Sequence, residues 1–254
     1  MLLETDGLVI REKPVGESDR LVTILTRHDG VVRAFARHAK RFKDKKNPGT
    51  GLLCYSRFVI FRGRENNQIN EAQVQEVFFG LRGEIEALSL AQYFCELAEV
   101  VAPEGTESEE YLRLLLNALY FLSRKARPRL LLKAITEMRL LSLSGYMPDL
   151  VGCRRCGTYE SPRMAFLPRS GQICCERCFH TPEEGKEPAV WLPPGAMMGL
   201  RHTIYAAFQK LFAFTLPPEE QKQLSKAAEQ YMFQVMQRSF DTLQFYHTVA
   251  GEEG

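Results

Sequence analysis

Four cysteines in the middle of the chain are the residues whose type and spacing most clearly indicate chemistry. Cys153 and Cys156 form one Cys-x-x-Cys pair, and Cys175 and Cys178 form a second pair after eighteen intervening residues. Two residues between thiols allow one tight turn to direct both sulfurs at the same ion, and four thiolates complete a tetrahedron. The spacing therefore predicts a structural Zn²⁺ site with no open coordination position for catalysis.

Other interpretations of this cysteine region remain open. A rubredoxin-like iron or a redox-active pair of dithiols fits the same spacing, and His180 is an alternative ligand. Cys174 competes with Cys175, but its distance in sequence from Cys178 suits a tight turn less well, so we expect Cys174 to be a buried thiol. The chain has seven cysteines, and we expect a cytoplasmic protein without a disulfide framework.

Basic residues concentrate near the N-terminus, although the whole chain has a formal net charge of only +2. Seven of them fall between residues 33 and 46, where Asp44 is the one acid. Such a patch attracts phosphate backbones, so we predict that it binds nucleic acid; a merely solvated surface is the alternative. The predicted DNA-binding residues are Arg33, Arg37, Lys40, Arg41, Lys43, Lys45 and Lys46.

A second basic group lies beyond an acidic stretch. Residues 83–112 contain eight acidic side chains and no Lys or Arg. The basic group that follows is expected to bind either DNA or the acidic peptide tail of a partner, because Arg pairs readily with carboxylates. Its members are Arg124, Lys125, Arg127, Arg129, Lys133 and Arg139.

Short segments rich in Val, Ile, Thr and Phe fill the first eighty residues and predict strands. Residues 28–30 predict a hairpin turn. On the third strand the two-residue period places Arg33, Phe35 and Arg37 on one face, opposite an apolar face. Five short strands indicate a small barrel or sandwich. The predicted strands are 7–11, 21–26, 31–37, 57–61 and 69–77.

After Gly83 the apolar residues recur at helical spacing. Ser108 is a predicted N-cap, and Pro128 is predicted to open a helix that runs to about Ser144, where Gly145 stops it. Pro217 precedes a predicted long final helix. The second part of the chain is therefore predicted to be an all-helical bundle. The N-terminus does not fit a secretory signal, since Glu4 and Asp6 follow at once, and no segment is apolar enough to cross a membrane.

Sequence motifs typical of enzymes are not found. There is no Gly-x-x-x-x-Gly-Lys phosphate loop, no Gly-x-Gly-x-x-Gly, no His-Glu-x-x-His and no Gly-x-Ser-x-Gly. We therefore predict a binding protein and not an enzyme. The rival hypotheses are a zinc-dependent nuclease or nucleic-acid modifier, and a zinc-ribbon transcription factor that reads base sequence.

The chain resembles the bacterial DNA repair and recombination family RecO along essentially its whole length. The resemblance rests on Thr-Asp-Gly-Leu-Val-Ile at 5–10, Gly-Glu-Ser-Asp-Arg at 16–20 and the basic stretch after the third strand. It rests also on Ser-Gly-Tyr-Met-Pro-Asp-Leu at 144–150, which runs into the first cysteine pair, and on Arg-Ser-Phe-Asp-Thr-Leu at 238–243.

This resemblance implies an α+β multidomain fold. An N-terminal OB-fold β-barrel (1–82) would precede an α-helical domain (83–152 and 179–254) with an inserted four-cysteine zinc module (153–178). The family's activity would be to bind single- and double-stranded DNA, anneal complementary strands and help load RecA onto strands coated by single-strand-binding protein. The implied partners are RecR and the C-terminal tail of that coating protein, with RecA indirectly, and the implied location is the nucleoid.

Overall fold

The computed structural model describes residues 1–37, 48–180 and 187–251. The chain divides into two compact units, of which the first is Met1–Ala126 with Phe240–Gly254 and the second is Arg127–Ser239. These units do not follow the domain boundaries expected from the sequence, because the two helices that come after the barrel strands pack with the barrel in the first unit.

The first unit contains a closed β-barrel in which the strands follow the order β1-β2-β3-β5-β4. Neighbouring strands are antiparallel except for β3 and β5, which run parallel. The predicted OB-fold barrel is confirmed. Its strands are β1 (Leu2–Val15), β2 (Asp19–Thr26), β3 (Val31–Ala36), β4 (Cys54–Arg62) and β5 (Asn67–Val77).

Alternation along β3 divides its side chains between the barrel interior and the outside. Val32, Ala34 and Ala36 belong to the buried barrel core, whereas Arg33 is exposed and Phe35 is half-buried. The predicted two faces of this strand are confirmed. The predicted hairpin turn before β3 is also present, since Gly30 has φ +65° and its carbonyl accepts the Thr26 N–H at 2.9 Å.

Two helices follow the barrel strands, α1 (Ile85–Val101) and α2 (Glu109–Ser123). Ser108 precedes α2 as predicted, but its hydroxyl does not cap the helix; it donates a hydrogen bond to the Thr26 carbonyl of β2 at 2.6 Å. This bond, together with the Ser108 N–H that donates to Arg27 O at 3.0 Å, ties the start of α2 to the barrel.

The second unit combines helices with a small sheet, in the strand order β7-β6-β8. The prediction of an all-helical second part is wrong here, because short strands that are buried on both faces carry no alternation to reveal them. The elements are α3 (Arg129–Leu143), β6 (Met164–Leu167), β7 (Gln172–Cys175), α4 (Glu176–Phe179), β8 (Val190–Leu192), α5 (Pro194–Tyr205) and α6 (Pro218–Met236).

The helix predicted to close the chain is not the last one. After α6, Gln237 adopts a left-handed conformation and the chain enters α7 (Asp241–Ala250), which packs on α1 in the first unit. Glu96 of α1 accepts hydrogen bonds from the backbone N–H and the hydroxyl of Thr242, at 3.3 and 2.5 Å. Among the described residues, no helix has both the length and the apolar character needed to cross a membrane.

Candidate metal centre and nucleic-acid interface

The four predicted metal ligands come together in the second unit. Cys153 and Cys156 lie in a turn before β6, Cys175 ends β7, and Cys178 lies in α4. Their sulfur atoms all lie within 4.8 Å of one another. Metal–sulfur bonds of about 2.3 Å in a tetrahedron require sulfurs about 3.8 Å apart, and the sulfurs of Cys156 and Cys175 are separated by 3.7 Å. We refer to these residues as the cysteine quartet, and their donor set fits a metal ion.

Backbone hydrogen bonds position the first cysteine pair. The Gly157 N–H donates to the Cys153 carbonyl at 2.8 Å, and Gly157 has φ +72°, a conformation that other residues adopt only with strain. The Arg154 N–H donates to the Ile173 carbonyl of β7, also at 2.8 Å. The turn is thus closed locally and attached to the strand that carries Cys175.

The thiols of the quartet differ strongly in proton affinity. Burial raises the pKa of Cys153, but hydrogen bonds from the backbone N–H groups of Cys175, Cys156 and Arg155 outweigh it and lower this pKa to about 6. Hydrogen bonding to the sulfurs of Cys175 and Cys156 raises the pKa of Cys178 to about 12. A thiolate at one cysteine therefore disfavours deprotonation of the next thiol. A divalent cation would stabilise all four thiolates at the same time.

Arginines beside the quartet have different roles. Arg177 hydrogen-bonds the Cys156 sulfur, and this contact raises the pKa of its guanidinium. It therefore offsets negative charge on the thiolates. Arg154 instead forms an ion pair with Glu187 at 3.1 Å.

Cys174 and His180 lie close to the quartet but do not belong to it. The Cys174 sulfur is fully buried and lies 3.9 Å from the Cys153 sulfur, which agrees with the predicted buried thiol. The His180 ring stacks on Trp191, with centroids 6.0 Å apart and planes inclined by 21°. Within the described part of the chain, the metal-capable group that forms here consists of the four cysteines alone.

The barrel carries a groove of about 770 Å³ along the polar face of β3. Arg33 and Phe35 line it from β3, Arg62 from the end of β4, Asn67 from the first position of β5 and Asn66 from the residue before it. Three acids line it as well: Asp29, Glu65 and Glu104. We call this feature the β3 groove. Its two arginines and its half-buried aromatic ring can bind a phosphate backbone and stack on a base, whereas its three carboxylates oppose a polyanion.

The predicted DNA-binding residues can be located only in part. Arg33 and Arg37 are both exposed. Arg33 forms ion pairs with two acids: its guanidinium lies 2.6 Å from a Glu104 oxygen and 3.7 Å from a Glu99 oxygen. The other predicted residues lie outside the described ranges and stay predictions: Lys40, Arg41, Lys43, Lys45 and Lys46.

Sequence reasoning missed several groups in the β3 groove. Arg62 forms an ion pair with Asp29 there, and the Asn67 side chain donates to the Arg33 carbonyl at 3.0 Å. The available signal was the turn-forming stretch 63–66, which joins two predicted strands and so had to lie at one end of the barrel. The pairing of Arg62 with Asp29 has no comparable local signature.

Lys133 does not belong to an exposed basic patch, and that prediction is wrong. Its side chain is 0% exposed, and its Nζ lies 2.9 Å from Glu137 and 2.6 Å from Glu229. Burial alone lowers the pKa of Lys133, but these two carboxylates raise it above the ordinary value. A buried charge must be paired, and α6 supplies a partner that is distant in the sequence.

Arg139 also has a structural role instead of a surface role. Its guanidinium donates to the Ile204 carbonyl at 2.6 Å and to the Ala206 carbonyl, both at the C-terminal end of α5. Carbonyls at the end of a helix have no partner within that helix, so the arginine satisfies them. Arg127 similarly donates from Nε to the Phe212 carbonyl at 2.8 Å.

The other members of the second basic group lie nearer the solvent. Arg124 is exposed and lies over the Tyr120 ring, 5.4 Å from its centroid. Lys125 is exposed and forms an ion pair with Glu84. Arg129, at the first position of α3, is half-buried.

Two family models together match nearly the whole chain. One is described as "Recombination protein O N terminal" and matches residues 1–78; the other is described as "Recombination protein O C terminal" and matches residues 82–244.

Several curated relatives are similar to this chain over two thirds of its length or more. A "DNA repair protein RecO" from Acetivibrio thermocellus is 32% identical over 247 residues, which cover 97% of this chain and 97% of the relative. A protein of the same name from Symbiobacterium thermophilum is 29% identical over 98% of each chain. A third, from Desulforudis audaxviator, is 36% identical over 69% of this chain and 70% of its own.

Proposed function

The chain belongs to the RecO family of bacterial DNA repair proteins, and from that membership we propose that it binds single- and double-stranded DNA through its barrel. We propose further that it anneals complementary strands and helps load RecA onto strands coated by single-strand-binding protein. The observation that carries the proposal is the β3 groove, with Arg33 and Phe35 in it and the basic residues 40–46 following the same strand.

The physical chemistry of such a groove suits annealing. Cations follow the phosphate backbone and aromatic rings stack on bases without reading them. Annealing needs no catalytic group, because neutralising the phosphates of two strands removes their repulsion and base pairing supplies the free energy. On this proposal the protein is a mediator that neither makes nor breaks a covalent bond.

We assign Zn²⁺ to the cysteine quartet as a structural ion. Four sulfur donors at tetrahedral spacing suit zinc and leave no open position, so the ion would stabilise its own module and take no part in chemistry. Iron fits the same donors and would be revealed by its colour, whereas the quartet with zinc is colourless.

The proposed partners are RecR, the C-terminal tail of the single-strand-binding protein and, indirectly, RecA, acting at the nucleoid. Arg124 is the member of the second basic group that we propose for an acidic tail, because it is exposed, whereas Lys133 and Arg139 make internal contacts. Fluorescence titration with an acidic, Phe-terminated peptide tests this. Unchanged affinity after Arg124→Gln would remove this residue from the tail site.

One assay tests DNA binding against its rivals. Labelled oligonucleotides of several unrelated sequences, single- and double-stranded, are titrated at a series of salt concentrations while the integrity of their ends is monitored. If about four cations meet single-stranded phosphates, log affinity falls with log salt at a slope near −3. Cleavage of the label would indicate a nuclease, and a strong preference for one sequence would indicate a transcription factor.

Charge reversal at Lys43, Lys45 and Lys46 should reduce the affinity and make the salt slope shallower by about 0.7 for each phosphate that is no longer neutralised. The matched control reverses three exposed lysines of the second unit, and so changes the net charge by the same amount; these are Lys210, Lys222 and Lys226. Equal losses in the two triple variants would reject a local site on the basic stretch.

A further inference from the structure

Residues 102–108, the part of the acidic stretch that follows α1, lie against the hairpin between β2 and β3. The Val31 N–H donates to the Pro103 carbonyl at 2.8 Å, and the Gly105 N–H donates to the Asp29 carbonyl at 3.0 Å. A Cβ on Gly30 would come within 2.0 Å of the Pro103 oxygen, so the close approach requires glycine there. The backbone on both sides of Glu104 is therefore fixed to the barrel.

This attachment brings the Glu104 carboxylate into the β3 groove. Glu104 is one of the residues that line the groove, and its Oε1 lies 2.6 Å from a guanidinium nitrogen of Arg33. A carboxylate oxygen at this distance occupies the position in which a nucleic-acid phosphate oxygen would be bound by the same guanidinium. Glu99 adds a weaker contact to Arg33, at 3.7 Å.

We propose that Glu104 is an internal competitor for the DNA backbone, a carboxylate that takes the place of a phosphate on Arg33 until a strand displaces it. The inference rests on the proposed DNA binding through the β3 groove and assigns a regulating residue to that same site. It gives the acidic stretch a function: to weaken the hold of the groove on any one strand.

The exposure of the pair decides how strong the competition is. The Arg33 side chain is 49% exposed and that of Glu104 is 64% exposed, so water screens their attraction and the pair is weak. A phosphate can therefore replace the carboxylate at small cost. We expect the competitor to reduce affinity several-fold without abolishing it, which suits a protein that must release strands after they have paired.

The test compares Glu104→Gln with the wild-type chain in binding to single-stranded oligonucleotide. The variant should bind about two- to five-fold tighter at low salt, as expected for removal of an exposed ion pair. The salt slope should stay the same, because Arg33 meets one phosphate in the complex of either protein. Glu104→Ala should also bind tighter with an unchanged salt slope, and thermal unfolding checks that each variant is folded.

Glu107→Gln is the matched control, because it removes the same charge from the same stretch. Glu107 is 71% exposed, lies 3.8 Å from His28 and is not among the residues that line the groove. The Glu107→Gln variant should bind DNA with an affinity close to that of the wild type. An equal gain in the two variants would mean that general charge, and not competition for Arg33, governs binding, and would overturn the inference.

A double variant assigns the effect to Arg33. In an Arg33→Gln background, Glu104→Gln should produce no gain, because the cation for which it competes is absent. A gain that persists there would contradict the inference while leaving DNA binding intact. If the wild-type chain binds no oligonucleotide at any salt concentration, the proposed function itself fails, so the two failures are distinguishable.

Discussion

The cysteine quartet and the β3 groove differ in how far along the chain their parts originate. All four sulfurs come from residues 153–178. A turn closed by the Gly157 N–H positions the first pair, and the end of β7 and the short helix α4 position the second. In the groove, Arg33 meets Glu104 and Arg62 meets Asp29, which are separated by 71 and 33 residues. The quartet is a local construction, whereas the electrostatics of the groove depend on the tertiary fold.

The difference matters because it determines what a substitution does. Removing one donor from the quartet leaves an incomplete tetrahedron for the proposed structural zinc ion. Removing Glu104 or Arg33 from the groove leaves an exposed partner that water can solvate. We therefore expect substitutions in the cysteine quartet to change stability strongly. Substitutions in the β3 groove should change stability little but should change DNA binding measurably.

The largest effect should follow removal of a metal ligand. Cys175→Ala should eliminate the bound metal and unfold its module, because binding free energies on the order of 10 kcal/mol are typical of structural zinc sites. Metal content per chain and the thermal unfolding transition measure this outcome. Treatment of the wild-type chain with a chelator should reproduce it.

The neighbouring residue provides a stringent control. Cys174→Ala removes an adjacent buried thiol that lies outside the quartet, so one metal ion per chain should be retained. If Cys174→Ala loses the ion and Cys175→Ala keeps it, the assignment of Cys175 as the ligand is wrong. Unfolding that is unchanged after complete removal of the metal would show that the ion does not stabilise the module.

The contrast between the regions also explains how much could be predicted from the sequence. Periodicity and turn residues are local signals and predicted the barrel strands and the faces of β3, while the Cys-x-x-Cys spacing predicted that the four cysteines come together. The sheet of β6, β7 and β8 was not predicted because its strands are only three or four residues long, and β6 and β7 are buried without alternation. The acids that pair with Arg33, and Glu229 beside Lys133, were not predicted because they are distant in the sequence. Glu137 is only four residues from Lys133, but such a pair is equally typical of an exposed helix face and does not indicate burial.

The second-largest effect should arise at Lys133. Lys133→Met would remove the buried cation that pairs with the carboxylates of Glu137 and Glu229, and breaking such a buried pair costs about 3–5 kcal/mol. Urea unfolding measures the free energy of unfolding. Replacing both carboxylates as well, by Glu137→Gln and Glu229→Gln, should recover much of the loss, since no buried charge is then left unpaired.

A smaller change in stability is expected at Gly30, where the fold of the hairpin is connected to binding in the groove. Gly30→Ala imposes a left-handed conformation on alanine, at about 1–2 kcal/mol, and places its Cβ against the Pro103 oxygen. The acidic stretch must then move away from the hairpin, which withdraws Glu104 from Arg33. We expect single-stranded DNA to bind tighter, as in Glu104→Gln, although the protein is less stable.

Gly16→Ala is the matched control for the backbone. Gly16 also has a positive φ, of +55°, but a Cβ there would meet no atom within 4 Å. This variant should lose a similar amount of stability from the left-handed conformation without a change in DNA affinity. Gly30→Ala could instead be destabilised and bind single-stranded DNA with the same affinity as Gly16→Ala. Displacement of the acidic stretch would then have no effect on DNA binding, and the stretch would not control access to Arg33.

The smallest effect should follow Lys125→Gln, the exposed counterpart of Lys133 in the same basic group of the sequence. The Lys125 side chain is 68% exposed and pairs with Glu84, so water and salt already screen the attraction between the two charges. Its replacement should therefore change the free energy of unfolding by less than about 1 kcal/mol in the same urea experiment. Equal losses of unfolding free energy in Lys125→Gln and Lys133→Met would contradict the assignment of Lys125 to the surface and Lys133 to the interior. The reason is that breaking a buried ion pair leaves a charge that water cannot solvate, whereas breaking an exposed pair does not.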